Sequence, residues 1–238
     1  MSRNLQKLIQ RVFEIPQDRR RALNTYLRPY LSESRKERFE EVLSERTRHL
    51  VVAMEDTYQE HNAGAIIRSA DCFGLQDVYV IQNHNAHKVA NTIAKGSTKW
   101  VTRHLYDQDN NGTKQCMKDL KEKGYQIVGT TPHTDVTLND LDISKPTAFF
   151  MGAEKRGISK SVEDECDTLM KIPMVGFTES FNVSVAVALI LYDATTRLKK
   201  SEVDWKLSPQ DYEDLWLEWT LKTVIRPEGY VDYFLENH

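Results

Sequence analysis

Three short stretches carry side chains able to hold a ligand and act on it. The first, Asn62-Ala63-Gly64-Ala65-Ile66-Ile67-Arg68, sets an amide and a guanidinium at the two ends of an apolar run. The second runs from Phe149-Phe150-Met151-Gly152 through Ala153-Glu154-Lys155-Arg156-Gly157 to Ser159. The third is Ile172-Pro173-Met174, followed by Ser180-Phe181-Asn182-Val183-Ser184 and a long apolar segment. A glycine directly after a buried strand lets backbone approach a ligand closely, and Glu154 can order that turn through backbone donors. Hydroxyls and an asparagine at a helix start present backbone N–H groups suited to a carboxylate or phosphate. Arg68 offers a planar multi-donor fork for a phosphate or a substrate. Each stretch also has a plain structural reading: a strand-to-helix turn, an N-cap at Asn182, an ion pair of Arg68 with Asp71 or Glu55. Phosphate-loop and dinucleotide-binding glycine patterns do not occur, which counts against kinase and dehydrogenase chemistry.

These residues need a scaffold, and the hydrophobic pattern predicts one. Leu50–Met54 is a short β-branched run and reads as a buried strand. Further strands are predicted at Asp77–Ile81, Trp100–Leu105, Tyr125–Thr130, Thr147–Met151 and Lys171–Met174. Between them, helical periodicity is expected at Ala63–Phe73 with Gly74 as its stop, at residues 89–95, at Thr113–Lys123, at Ser161–Cys166 and at Val183–Lys199. On this reading Asn62 stands at the cap of the Ala63 helix. Nearly all-apolar strands alternating with helices imply an α/β fold whose parallel sheet is covered by helices on both faces. Residues 50–200 are expected to form this domain, with a helical N-terminal extension over 1–49 and a helical C-terminal one over 201–238. In the first extension Pro16 and Pro29 punctuate, and Ser34 is placed to cap a helix carrying Phe39, Val42 and Leu43.

Hydrophobic residues make up 40 % and charged residues 28 %, which places the chain among ordinary globular proteins. No apolar run reaches the roughly 20 residues of a membrane helix, and Met1–Arg11 is polar, so a cytoplasmic protein with no membrane partner is expected. Cys72, Cys116 and Cys166 are far apart and read as buried or half-buried free thiols, with no metal site. Net charge is -3, yet residues 1–48 hold 12 basic against seven acidic side chains. A basic arm on an acidic body fits contact with RNA phosphates, and a solvated helix face is the plainer reading.

Taken together, in order and spacing, the three stretches resemble the motifs of the SpoU branch of the SPOUT RNA 2′-O-methyltransferases. The resemblance covers roughly residues 46–200. The stretch from Arg46 through Glu55-Asp56 and His61-Asn62 to Arg68 is most similar to members that methylate a D-loop guanosine of tRNA. The resemblance implies a C-terminal trefoil knot, which would break the usual rule that chains do not thread loops. It implies S-adenosylmethionine as cofactor, held by Thr130, Gly152, Ile172 and Phe181 (the family usually has Leu at this last position). It implies catalytic positions at Asn62, Arg68, Glu154, Ser180 and Asn182, with the site completed across a homodimer. Arg68 then serves as base or as positioning group, and with a pKa above about 12 arginine is a poor base. Arg11, Arg19, Arg20, Arg21 and Arg46 become candidates for RNA backbone contact. Methylation of ribosomal RNA, and RNA binding without catalysis, are the alternatives.

Overall fold

The computed structural model describes residues 3–57, 59–83, 99–106, 111–153 and 156–237. The helix expected at 89–95 and the expected site residue Glu154 lie outside the described residues. Along the chain come helices α1 (Arg3–Phe13), α2 (Gln17–Leu27) and α3 (Glu33–Ser44), then strand β1 (Leu50–Glu55) and helix α4 (Glu60–Cys72). Strands β2 (Asp77–Ile81) and β3 (Thr102–Tyr106), helix α5 (Gly112–Glu122) and strands β4 (Gln126–Thr130) and β5 (Thr147–Met151) follow. Helix α6 (Lys160–Glu165), strand β6 (Thr168–Met170) and helices α7 (Val183–Lys200), α8 (Pro209–Leu221) and α9 (Pro227–Asn237) complete it. Two compact units result: residues 47–205, and residues 1–46 with 206–238.

In the larger unit six strands form one sheet in the order β3-β2-β1-β5-β4-β6, and every pairing is parallel. All residues of β1, β2 and β5 are buried, as a sheet covered on both faces requires. The two faces separate by residue parity. Leu50, Val52 and Met54 pack with Ile66 and Ile67 of α4 and with Val187, Ile190 and Leu191 of α7. Val51 and Ala53 pack instead with Cys116, Met117 and Leu120 of α5 and Val162 of α6. Each fully buried aliphatic side chain here contributes about 1.5–3 kcal/mol. Burial pushes the Cys116 thiol up, out of the range where a thiolate forms. Cys72 is exposed rather than buried or half-buried.

The last strand departs from expectation. It is Thr168–Met170, and Lys171–Met174 lies beyond it. Its neighbour β4 ends at Thr130, which pairs with Met170, so the ladder runs out there. Pro173 has no N–H with which to extend a ladder, and Lys171 makes an isolated bridge with Thr137. Strand β3 starts at Thr102, not Trp100. Helix α4 starts at Glu60 with Gln59 at the cap position, so Asn62 sits inside the first turn instead of capping it. Likewise Ser32, not Ser34, is the N-cap residue of α3.

In the smaller unit Leu8, Val12, Leu23 and Leu27 share a core with Leu217, Leu221, Val231 and Phe234. Phe39 meets Trp216 and Trp219 edge-on, with ring centroids 5.7 and 5.4 Å apart. Among the described residues no helix is long and apolar enough to cross a membrane.

A candidate cleft at the carboxyl ends of three strands

Strand β5 ends at Met151, and the backbone of Gly152 directly after it has no room for a side chain. A Cβ on Gly152 would fall 1.9 Å from the carbonyl carbon of Gly157 and 2.1 Å from its oxygen. The approach exists because the loop folds back on itself. Ala153 N donates to Gly157 O at 3.0 Å, and Gly157 N donates to Ala153 O at 2.8 Å. Gly157 makes the return with φ of 68°, a conformation glycine adopts freely. Backbone is thereby brought to the surface of the sheet's carboxyl edge, where open α/β sheets bind ligands.

A cleft of about 550 Å³ opens at this edge, and Thr130, Gly152, Ile172, Phe181, Ser180 and Asn182 all line it. Met151, Met170, Ala186 and Ile190 supply its apolar floor. The size and the apolar lining with a few polar groups are those of a small-molecule site. Thr130 Oγ1 donates to Phe150 O at 2.9 Å, which ties the ends of β4 and β5 together. Because β6 stops at Met170, Ile172 is a loop residue and can turn to the cleft. Among the described residues no group of His, Cys, Asp or Glu is arranged to hold a metal ion.

Asn182 links this cleft to α4. Its Oδ1 accepts from Ser184 N at 2.9 Å and from Ser184 Oγ at 2.7 Å, so it caps α7. Its Nδ2 donates to Oδ1 of buried Asn62 at 3.2 Å, across 120 residues of chain. Asn62 Nδ2 in turn donates to Gln59 Oε1 at 3.1 Å. Asn182→Ala should cost about 1 kcal/mol of stability through loss of the cap, read as a lower melting temperature. A double-mutant cycle with Asn62→Ala should return a coupling of about 1 kcal/mol, and strict additivity would contradict the contact.

Arg68 is placed differently. It is exposed on α4, does not line the cleft of its own chain, and among the described residues has no hydrogen-bond or ion-pair partner. Glu55 is not its partner. That carboxylate ends β1 and accepts from Thr113 Oγ1 and Ser159 N. On α7 the exposed side chains Val185, Leu189 and Tyr192 recur at helical spacing and form an apolar stripe.

The basic candidates of the helical unit divide. Arg46 is 1 % exposed, and its guanidinium lies over the Trp219 ring at 5.5 Å. It therefore belongs to the core of that unit rather than to a phosphate-binding surface. Arg20 is also committed internally: it donates to Asp214 Oδ1 at 3.1 Å and to the carbonyls of Phe13 and Ile15 at 3.2 and 3.1 Å. Arg11 pairs with Asp232 and stays half exposed, and Arg19 donates to Leu235 O at 3.3 Å. Arg21 is exposed and reaches Gln210 Oε1 at 3.4 Å, while Arg3, Lys7, Arg35 and Arg38 are exposed as well.

Gln59, His133 and Arg156 also line the cleft. All three stand in loops, where no periodicity marks a residue as facing a site.

A profile of the SpoU rRNA Methylase family matches residues 49–192. The tRNA (guanosine(18)-2′-O)-methyltransferase of Borreliella burgdorferi is 36% identical over 199 residues, covering 83% of this chain and 89% of that protein. Among solved structures, the A. aeolicus TrmH/SpoU tRNA modifying enzyme is similar with a TM-score of 0.70 at 32% identity, over 82% of this chain and 98% of that one. The SpoU methyltransferase AviRb from Streptomyces viridochromogenes, in complex with the cofactor AdoMet, is similar with a TM-score of 0.54 at 25% identity, over 68% and 65% of the two chains.

Proposed function

The chain belongs to the SpoU rRNA Methylase family, and we propose from this premise that it transfers a methyl group from S-adenosylmethionine to the ribose 2′-oxygen of guanosine 18 in tRNA. The observation that carries the reading is the convergence of Thr130, Gly152 and Ile172 on one cleft whose rim residue Asn182 is bonded to Asn62 of the helix bearing Arg68. The relative from Borreliella burgdorferi supports the choice of RNA and position.

The residues present fit the cofactor. At Gly152 only backbone can occupy the cleft wall, which suits a flat adenine held by main-chain groups. The capped start of α7 offers N–H groups to a carboxylate. When bound there, S-adenosylmethionine supplies a methyl already activated on a sulfonium. The protein must then align the ribose oxygen with that methyl and ease off one proton. Arg68 orients the hydroxyl or its neighbouring phosphate, while the proton passes to an RNA phosphate or to solvent. Ser180 holds the hydroxyl side of the site, and Asn62 with Asn182 braces the cofactor loop.

Arg68 reaches a cleft when a second copy supplies it. The α7 stripe supports a homodimer: Val185, Leu189 and Tyr192 are 47%, 40% and 64% exposed and lie in one row along the helix. Leu189→Asp with Tyr192→Asp should shift the protein to monomer in sedimentation and remove methyl transfer. A fully active monomer would overturn the dimeric site. The trefoil knot belongs to the same proposal. Strand β4 lies between β5 and β6, so the chain crosses β4 in passing from one to the other. The exposed basic residues Arg3, Lys7, Arg21, Arg35 and Arg38, with half-exposed Arg11, offer the RNA backbone its contacts.

The test is transfer of labelled methyl to separate tRNA and ribosomal RNA fractions, followed by nucleotide mapping. Label at guanosine 18 of tRNA is the expected result. Label confined to ribosomal RNA would overturn the substrate, and no label in either would overturn the activity.

A further inference from the structure

A buried carboxylate stands behind the cleft. Glu55 is 3 % exposed at the carboxyl end of β1, next to β5 in the sheet. By parity its side chain leaves the sheet on the α5 and α6 face, with Val51 and Ala53, whereas Met151 and Met170 of the cleft floor belong to the opposite face. Glu55 Oε2 accepts from Ser159 N at 2.7 Å, and Oε1 accepts from Thr113 Oγ1 at 2.5 Å. Asn83 Nδ2 donates to Thr113 Oγ1 at 2.7 Å, and Asn83 N donates to Asp56 Oδ1 at 2.8 Å.

Ser159 is the residue through which the Gly152 loop enters α6, and its own Oγ accepts from Val162 N. The carboxylate therefore fixes the outgoing leg of that loop to β1. On the same face Ile158 of the loop packs into the apolar core with Val162, so the carboxylate is the polar tie beside an apolar one. A cavity of about 120 Å³ lies there, lined by Glu55, Asn83, Arg156 and Ser159 among others. Arg156 and Gly157 line both this cavity and the cleft, so movement of the loop into the cavity would widen the cleft. Burying a carboxylate is costly unless it is fully hydrogen-bonded, and an aspartate or glutamate at the end of an all-apolar strand has no packing advantage to explain it.

We propose that Glu55 is a positioning residue that holds the cofactor loop at its binding geometry through the Ser159 N–H. The inference rests on the cofactor assignment above and extends it to the opposite face of the sheet.

Four measurements on the full chain test it: S-adenosylmethionine affinity by calorimetry, KM for each substrate, melting temperature, and hydrogen exchange at Arg156–Ser159. Glu55→Ala is expected to weaken S-adenosylmethionine binding and raise its KM about tenfold, as loss of one charge-assisted hydrogen bond implies. The KM for tRNA should not change, and the Arg156–Ser159 amides should exchange faster even in the ligand-free protein. Glu55→Gln keeps an acceptor for Ser159 N and should restore affinity to within about threefold. Thr113→Val removes the other donor, together with the acceptor of Asn83 Nδ2, and should lower the melting temperature with cofactor affinity retained. A Glu55→Ala protein that melts lower but binds S-adenosylmethionine normally would overturn the proposal, as would Glu55→Gln behaving like alanine. If the unaltered protein itself fails to bind S-adenosylmethionine, the functional reading falls and this proposal with it.

Discussion

Arg68→Ala should lower methyl transfer by about 10²–10⁴-fold, the range expected when a positioned group that aids proton removal is lost. Cofactor affinity should stay within about twofold, because the role proposed for Arg68 is to orient the ribose hydroxyl or its phosphate and not to hold the cofactor. Arg68→Lys should recover little, since an ammonium cannot reproduce the planar fork that orients a hydroxyl and a phosphate together. Single-turnover transfer with saturating tRNA, alongside calorimetric titration of the cofactor, separates the two effects. Near-normal turnover in Arg68→Ala would remove the arginine from the mechanism. Weakened cofactor binding would mean that the arginine holds the cofactor as well as the ribose.

Gly152→Ala is expected to have the second large effect, for the opposite reason. The added Cβ would sit 1.9 Å from Gly157 C, so backbone rather than a flexible side chain must give way. Overpacking of this kind costs about 1–3 kcal/mol. Here the displaced atoms belong to the loop that the proposed function assigns to the cofactor, so affinity should fall at least about tenfold per 1.4 kcal/mol of that cost. Gly124→Ala is the control. Gly124 has φ of 85° with nothing within 4 Å of an added Cβ, so strain appears as lost stability with the cofactor still bound. Normal cofactor binding by Gly152→Ala would show that the loop is not the binding wall.

The two variants also test each other. Alone, Arg68→Ala should transfer little methyl, and Gly152→Ala should transfer little at cofactor concentrations well below its raised Kd. In a re-equilibrated mixture about a quarter of native activity should return, because half the dimers pair the two variants and each such dimer has one complete site. A mixture that stays inactive while forming mixed dimers would place Arg68 and the cleft in the same chain.

Much of the scaffold was legible in the chain. Strands β2 and β5 have the expected bounds, and β1 and β4 differ by one residue at an end, because short runs rich in apolar and β-branched residues announce strands locally. The glycine after β5 and the capping asparagine before α7 were legible for the same reason. What failed was non-local. Strand β6 could not be bounded from Lys171–Met174, because its length is set by where β4 stops. Arg46 reads as a surface cation in a basic segment, yet the Trp219 ring that covers it comes from the far end of the chain. Glu55 reads as an ion-pair partner of Arg68, yet its two donors lie 58 and 104 residues away.

The sequence by itself determined the α/β class, the kind of turn at each strand end and the family, since those depend on local periodicity, backbone freedom and ordered motifs. Only the tertiary structure decided which ends meet. Parallel pairing in the order β3-β2-β1-β5-β4-β6 brings β4, β5 and β6 to one cleft, joins Asn182 to Asn62, seats Glu55 behind the loop, and leaves Arg68 outside its own cleft. The reason is that hydrogen-bond registry between distant segments is chosen by the burial of both sheet faces at once, a condition no short window of residues can express.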